Sequence, residues 1–153
     1  MNKNIYDFNN RTAVITGGAQ GFGLDIAKKF LQSGAKVIIW DIDKKLTEQV
    51  VENINNKNLS ANIVDISNFQ EVETAVTQII KNDKIDILIN NAGITGPTMP
   101  LWEYDVEMWN KIVKINLLGT FNCCKAIVPN MITNNYGRIV NVASVAGKDG
   151  NAN

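Results

Sequence analysis

Residues 12–23 read TAVITGGAQGFG, and this stretch decides the fold. Its first five residues are rich in β-branched side chains, a composition typical of a β-strand. Gly17 follows directly, and from Gly21 onward small or apolar residues recur at helical spacing, at positions 23, 26, 27, 30 and 31. The pattern predicts a strand that passes through a glycine loop into an amphipathic helix, which Gly34 ends.

The glycine loop, residues 16–23, has the chemistry of a phosphate-binding turn. Glycines permit a close approach of the backbone to a pyrophosphate, and the first N–H groups of the helix attract anions. The spacing Gly-x3-Gly-x-Gly differs from the usual Gly-x-Gly-x-x-Gly, and no Gly-Lys-Ser/Thr of a Walker loop follows. A tight turn without a ligand is the alternative, but the position between strand and helix favours nucleotide binding.

Asp41 lies 24 residues beyond Gly17, after a second predicted strand at 36–40. This is near the ~20-residue offset of the acid that binds the adenosine ribose hydroxyls in dinucleotide-binding folds. A carboxylate there would repel the 2′-phosphate of NADP, and Gln20 and Ile42 supply no positive charge. The sequence therefore favours NAD. The alternative interpretation of Asp41 is a cap for the next helix.

Strands and helices alternate along the rest of the chain. Predicted helices cover about 44–55, the segment after a Ser67–Gln70 capping box, and about 105–134 with a bend near Pro129. Further predicted strands are 61–65, 85–89 and 138–143. This alternation predicts one α/β domain over residues 1–153, a doubly wound parallel sheet of the Rossmann type. Ligands of such sheets bind beyond the carboxyl ends of the strands.

Composition narrows the possible functions. The chain carries 15 basic and 15 acidic residues, so no charged surface for nucleic acid or an anionic membrane is expected. No uninterrupted apolar run approaches the ~20 residues of a membrane span. Cys123 and Cys124 are neighbours, and the absence of histidine excludes a Ser-His-Asp triad and His-based metal sites within this chain. We expect a cytoplasmic protein with reduced thiols and no metal.

Further motifs complete the pattern. Asp65 ends the third predicted strand, Asn90-Asn91-Ala92-Gly93 follows the fourth, Asn116 lies on the long helix, and residues 139–144, IVNVAS, end the fifth strand. With the glycine loop, and in this order, they resemble the short-chain dehydrogenase/reductase family from about residue 9 onward. The glycine loop and Asn-Asn-Ala-Gly at this separation are together far more specific than either alone.

The resemblance implies NAD as cofactor and a role for each motif. The glycine loop would lie along the pyrophosphate, Asp41 at the ribose, Asp65 and Ile66 at the adenine, and the Asn90 segment beside the cofactor. The predicted cofactor-binding residues are Gly17, Gln20, Gly21, Phe22, Gly23, Asp41, Ile42, Asp65, Ile66, Asn90, Ala92 and Gly93. For Asn90 and Asn91 the alternative is an Asx-type turn.

Asn116 and Ser144 are the predicted catalytic residues. Asn116 falls on the face of the long helix that the pattern predicts as buried, and a buried amide needs partners. That face consists of Trp109, Ile112, Val113, Leu117, Thr120 and Phe121. The resemblance implies that Asn116 holds a water in a proton relay and that Ser144 binds the substrate oxygen. The alternatives are a structural hydrogen bond and a turn serine.

The acid/base pair of this family, a Tyr followed four residues later by a Lys, is absent from these 153 residues. Tyr6, Tyr104 and Tyr136 are followed at that spacing by Asn, Met and Val. We therefore expect a sheet truncated after its fifth strand, which would leave one edge exposed. We also expect no measurable dehydrogenase activity from this chain.

By this resemblance the reaction is hydride transfer between NAD(H) and a small-molecule secondary alcohol or ketone, in a full-length protein that is a dimer or tetramer. The general pattern is similar to 3-oxoacyl-[acyl-carrier-protein] reductases. Asp41 and residues 93–97, GITGP, instead favour NAD-linked sugar-acid dehydrogenases. The alternative from another functional class is a non-catalytic dinucleotide-binding or interaction protein.

Overall fold

The computed structural model describes residues 6–150, which form a five-stranded parallel sheet with the order β3-β2-β1-β4-β5. The strands are β1 Thr12–Thr16, β2 Lys36–Asp41, β3 Leu59–Ile63, β4 Ile87–Asn90 and β5 Arg138–Asn141. The order reverses between β1 and β4. At such a switch point, a crevice opens at the carboxyl ends of the strands.

Helices connect the strands and lie on both faces of the sheet. They are α1 Gly21–Gln32, α2 Lys44–Ile54, α3 Phe69–Ile80, α4 Val106–Val113, α5 Thr120–Thr133 and the short α6 Ala146–Asp149. A 3-10 turn spans Leu101–Glu103, and a π-helical segment, Lys114–Gly119, joins α4 to α5. The predicted doubly wound α/β fold is confirmed.

Alternate residues of the central strands supply the two halves of the core. Ala13 and Ile15 of β1 belong to the cluster under α1 and α2, whereas Val14 belongs to the cluster under α3 and α5. All three residues are fully buried, because helices cover β1 on both sides. This two-sided packing fixes the carboxyl end of β1, where the glycine loop begins.

The third and fourth strands are displaced from their predicted positions. β3 spans Leu59–Ile63 instead of 61–65, since the chain leaves the sheet before Asp65 and forms a turn there. β4 spans Ile87–Asn90 instead of 85–89, because the Ile85 N–H is taken by the side chain of Asn130. Both strands still end at the edge of the sheet where the predicted site residues lie.

The predicted Ser67–Gln70 capping box is wrong. Asn68 is the N-cap of α3, and its Oδ1 accepts the Gln70 N–H at 3.1 Å. The Ser67 N–H instead donates to Asp65 Oδ1, so this serine belongs to the preceding turn. Asn is as good an N-cap as Ser, and the sequence pattern did not distinguish the two neighbours.

The predicted long helix is continuous from Val106 to Thr133, but its predicted buried face is wrong. Trp109, Leu117 and Phe121 are 52%, 64% and 57% exposed. The π-helical segment Lys114–Gly119 shifts the phase of the residues that follow it, so another face of α5 packs inward and Phe121 is exposed; Trp109 precedes the segment, and the shift does not explain its exposure. The buried residues of α5 are Asn122, Cys123, Ile127 and Met131. The bend near Pro129, which lies inside α5, stays a prediction.

By length and composition alone, the helix Val106–Thr133 could cross a membrane, with a mean hydropathy of 1.2 over 18 residues. This is weak evidence, because the core helix of a soluble protein passes the same test. Lys111, Lys114 and Lys125 interrupt its apolar residues, and α5 packs against α3 and β4.

Candidate functional site

A cavity of about 270 Å³ opens at the carboxyl ends of the strands, on both sides of the switch point. Its walls come from the glycine loop, from the ends of β2 and β3, and from the loop after β4. The lining residues are Gly17, Gln20, Trp40, Asp41, Ile42, Val64, Asp65, Ile66, Asn91, Ala92, Gly93, Ile94 and Ile115. Eight of the twelve predicted cofactor-binding residues therefore lie around one cavity.

The glycine loop requires glycine for two separate reasons. Gly17 and Gly21 have φ values of +62° and +53°, in the left-handed region that other residues rarely adopt. At Gly23 the reason is space: a Cβ would overlap the Gly17 carbonyl and lie 2.6 Å from Asn91 Nδ2. Gly23 thus allows α1 to begin directly against the loop.

Hydrogen bonds join the glycine loop to the loop after β4. Thr16 Oγ1 accepts the N–H groups of Asn91 and Ala92, each at 3.0 Å. In return Asn91 Nδ2 donates to the carbonyls of Thr16 and Gly17, at 3.0 and 3.1 Å. The Asn91 side chain thus bonds the glycine loop and not its own turn, as the Asx-type alternative would require, and it fixes two walls of the cavity relative to each other.

Asp41 ends β2 with its carboxylate held by backbone donors. Oδ2 accepts the Ala19 N–H and Oδ1 accepts the Asp43 N–H, both at 3.1 Å. Asp43, and not Asp41, caps α2 by accepting the Leu46 N–H at 2.9 Å. The helix-cap interpretation of Asp41 is therefore wrong, and its carboxylate belongs to the cavity.

Asp65 and Ile66 lie in the turn that follows β3. Asp65 Oδ1 accepts the Ser67 N–H at 2.9 Å. Ile66 is buried, and its carbonyl accepts Asn122 Nδ2 at 2.9 Å from α5. Gly119 permits this close packing, since a Cβ there would lie 2.6 Å from Ile66 Cδ1. The turn is thereby stabilised by a hydrogen bond within itself, from Ser67 to Asp65, and by contacts with the long helix.

The first turn of α1 has the electrostatics of an anion site. Gln20 is its N-cap residue, and its side chain makes no capping hydrogen bond. The first turn contains no acidic residue. The positive end of the helix dipole and the N–H groups of this turn are therefore not neutralised by the helix's own side chains.

Four predicted cofactor-binding residues do not line the cavity: Gly21, Phe22, Gly23 and Asn90. The first two are exposed on α1, and Gly23 is buried against the loop. Asn90 is buried, and its Nδ2 donates to Asn141 Oδ1 at 2.8 Å and to Cys124 Sγ at 3.4 Å. It joins the ends of β4 and β5. Direct cofactor contacts by these four residues stay predictions.

Asn116 lies in the π-helical segment and is exposed, which corrects its predicted burial. Both ends of its amide bond the same residue: Oδ1 accepts the Ile94 N–H at 3.0 Å, and Nδ2 donates to the Ile94 carbonyl at 2.9 Å. Ile94 lines the cavity, so Asn116 contacts a residue of the cavity wall without lining the cavity itself. The structure thus shows the structural hydrogen bonds that were the alternative interpretation of Asn116. Its catalytic role stays a prediction.

Ser144 is exposed after β5 and does not line the cavity. Its Oγ accepts the Ala146 N–H at 3.2 Å, and its carbonyl accepts the Gly147 N–H at 3.0 Å. These are the contacts of a turn serine. Ser144 is not among the residues that line the cavity, and its catalytic role stays a prediction.

The two cysteines have different surroundings. Burial, with a smaller contribution from neighbouring Cys124, raises the pKa of Cys123 to about 12. Cys123 is therefore a neutral core residue at physiological pH. Cys124 is partly exposed and contacts Asn90.

Five lining residues were not in the predicted set: Trp40, Val64, Asn91, Ile94 and Ile115. Trp40 and Val64 directly precede Asp41 and Asp65, so adjacency to a predicted residue was the available signal. For Ile115 there was none, because the sequence does not show the π-helical phase that turns it inward.

Comparisons with known proteins agree with this geometry. A sequence model of the short chain dehydrogenase family matches residues 11–153. The crystal structure of an NAD+-bound xylitol dehydrogenase aligns with a TM-score of 0.89 at 32% identity, over 94% of this chain and 56% of that chain.

Two curated relatives show the same partial coverage. A 2-dehydro-3-deoxy-L-rhamnonate dehydrogenase (NAD(+)) of Sphingomonas sp. (strain SKA58) is 41% identical over 94% of this chain and 57% of its own length. A 3-oxoacyl-[acyl-carrier-protein] reductase FabG of Chlamydia pneumoniae is 35% identical over 93% of this chain and 58% of its own length. The chain thus spans less than three fifths of these relatives.

Proposed function

Because this chain belongs to the short-chain dehydrogenase family, we propose that it is the NAD-binding part of an oxidoreductase acting on a secondary alcohol or ketone. The observation that carries the proposal is the Asp41 carboxylate, which the glycine loop holds at the cavity. Bound NAD supplies hydride chemistry, whereas the protein supplies binding and orientation.

The residues present fit a dinucleotide. Gly17 lines the cavity without a side chain, an added Cβ at Gly21 would meet open space, and the amino end of α1 supplies N–H donors for phosphate oxygens. Asp41 supplies an acceptor for ribose hydroxyls. Ile42 and Ile66 supply apolar surface at the same cavity. These residues would hold the adenosine and pyrophosphate portions.

The charge around the cavity favours NAD over NADP. Within the described part of the chain, the residues that line the cavity include Asp41 and Asp65 but no lysine or arginine. A 2′-phosphate would meet the Asp41 carboxylate without a compensating cation, at a substantial electrostatic cost. Ribose hydroxyls would instead donate hydrogen bonds to that carboxylate. The name of the Sphingomonas relative, which specifies NAD(+), supports the same preference.

Calorimetric titration of the purified chain with NADH and NADPH tests the proposal. We expect NADH to bind at least about tenfold more tightly than NADPH, equivalent to about 1.4 kcal/mol. In Asp41→Ala the preference should fall close to unity, since both the ribose acceptor and the repulsive charge are removed.

Asp7→Ala is the matched control, because Asp7 is an exposed carboxylate whose side chain bonds only Asn9 among the described residues. It changes the net charge by the same amount and should keep the wild-type preference. A folded wild-type chain without affinity for NADH would overturn the proposal. An unchanged preference in Asp41→Ala would overturn the role of Asp41.

For the reaction itself, Asn116 and Ser144 are the proposed catalytic residues, and a sugar acid is the proposed substrate class. The 41% identical relative is named for a deoxy sugar acid, which supports this class over 3-oxoacyl substrates. Within residues 1–153 no tyrosine is followed four residues later by lysine, the acid/base pair that the resemblance implies. We expect no NAD-linked turnover by residues 1–153. Robust turnover by a sample of confirmed mass would contradict this.

A further inference from the structure

The turn of residues 65–68, named here the β3 turn, is held by a side chain outside it. Glu71, in the first turn of α3, reaches back with both carboxylate oxygens: Oε2 accepts the Asp65 N–H and Oε1 accepts Asn68 Nδ2, each at 2.9 Å. One carboxylate therefore bridges the two ends of the β3 turn. Glu71 does not line the cavity that this turn borders.

The other contacts of the β3 turn do not replace this bridge. The Asp65 carboxylate bonds the Ser67 N–H, and the Ile66 carbonyl bonds Asn122. The Asn68 N–H also donates to the Asp65 carbonyl at 2.9 Å, so the backbone itself closes the turn. None of these bonds holds the Asp65 N–H. Among the described hydrogen bonds, the Asp65 N–H has Glu71 as its partner. Without Glu71, Asp65 keeps the bond between its carbonyl and the Asn68 N–H, but its own N–H loses the side chain of α3 that holds it.

From these contacts we infer that Glu71 is a positioning residue for the adenine side of the dinucleotide site. It acts through Asp65 and Ile66, and the inference rests on the proposed function together with the expectation, from the family resemblance, that these two residues meet the adenine. A carboxylate that accepts two hydrogen bonds is suited to this task, because charge-assisted bonds hold geometry more strongly than neutral ones.

A purely structural role for Glu71 makes a different prediction. Its place in the first turn of α3 lets it interact with the helix dipole, so its loss lowers the stability of the protein in either case. Positioning adds a selective effect on ligands that contain adenine. The useful measurement is therefore the ratio of affinities for the two halves of the cofactor.

The experiment measures dissociation constants for NADH, ADP and nicotinamide mononucleotide by calorimetry or ligand-observed NMR. In Glu71→Ala, we expect those for NADH and ADP to rise about three- to tenfold, the range for losing one or two net hydrogen bonds. The constant for nicotinamide mononucleotide should change less than about twofold. Glu71→Gln keeps one acceptor oxygen and should lie between Glu71→Ala and the wild type; being milder, it tests the inference even if Glu71→Ala folds poorly.

Glu73→Ala is the matched control. Glu73 is an exposed glutamate on the same helix, and its carboxylate accepts Gln70 Nε2 within α3. It should bind all three ligands like the wild type. NADH binding by Glu71→Ala equal to that of Glu73→Ala, or equal weakening of ADP and nicotinamide mononucleotide, overturns this inference alone. No NADH binding by the wild type overturns the proposed function as well.

Discussion

Strands β1 and β5 run parallel in one sheet, but their surroundings differ completely. All five residues of β1 are buried, and all four residues of β5 are exposed. β1 lies at the centre of the strand order, between β2 and β4, whereas β5 is an edge strand. Each strand leads into a motif with a predicted function, the glycine loop after β1 and Ser144 after β5.

This contrast separates hydrogen bonding from packing. β5 keeps a regular ladder with β4, from Ile87↔Arg138 to Asn90↔Asn141. The backbone pairing is thus present at both strands, and only the apolar cover differs. Around β1 the cover fixes the loop that lines the cavity, whereas Ser144 is held by contacts within its own turn. Packing on both faces, more than sheet pairing, determines which part of the site is well positioned.

The largest expected effect comes from shortening one apolar side chain in each strand. Ile15→Ala, at a fully buried position of β1, should lower the free energy of unfolding by roughly 2–5 kcal/mol. Val140→Ala in β5, where the side chain is 51% exposed, should change it by less than roughly 0.5 kcal/mol. Urea unfolding followed by circular dichroism measures both. Equal losses would show that β5 is covered in solution and would end the comparison.

The next effect concerns one glycine from each region. Gly23→Ala places a methyl group against the Gly17 carbonyl and should cost roughly 1–3 kcal/mol of unfolding free energy. It should also weaken NADH binding by displacing the loop. Gly147 in α6 has nothing within 4 Å of an added Cβ, so Gly147→Ala should be neutral or slightly stabilising. Thermal unfolding of the two variants side by side decides between these outcomes.

A smaller effect is expected from charge on the open edge. Val140→Lys should leave the unfolding free energy within roughly 0.5 kcal/mol, because the position is exposed. It should reduce self-association, since lysine on an edge strand opposes pairing with another chain. Light scattering against concentration measures this, with Val140→Thr as the uncharged β-branched control. Identical scattering from the two variants would remove β5 as the surface of association.

The smallest effect is chemical and leaves the fold unchanged. Cys123 should be alkylated by iodoacetamide far more slowly than Cys124 at pH 8, because its pKa of about 12 keeps it neutral and burial keeps it inaccessible. Its pKa is raised above the reference value of 9.0, so the associated stability is present below pH 9 and is lost as the pH rises towards 12. Peptide mass spectrometry gives both rates, and fast labelling of Cys123 would show that α5 opens readily.

The sequence predicted which segments form strands better than it predicted where each strand begins and ends. β1 was predicted residue for residue, because its β-branched run is bounded by the glycines of the loop. Strand β3 was misplaced by two residues, since Ile63 and Val64 are both β-branched but only Ile63 lies within the paired strand. Local composition does not indicate at which residue a strand stops pairing with the adjacent strand.

Most of the cavity was predicted because its residues follow strand ends, and parallel strands bring those ends together. The contacts that hold these residues were not predicted. The partners of Asp65 and Ile66 in neighbouring elements, Glu71 and Asn122, depend on tertiary structure. Likewise the predicted face of the long helix assumed one uniform helical period, which the π-helical segment interrupts, and Phe121 beyond that segment is exposed.

The π-helical segment also divides the long helix into two parts whose side chains differ in helical phase. A regular helix advances by roughly 100° per residue, and a π-helical turn contains more residues than an α-helical one. The effect of substitutions on stability should therefore vary with the α-helical period within α4 and within α5. The phase of this variation should shift between the two helices. Deleting one residue from Lys114–Gly119 would restore a single helical phase along α4 and α5. It would also rotate Asn116 away from the backbone of Ile94, to which both ends of the Asn116 amide are hydrogen-bonded.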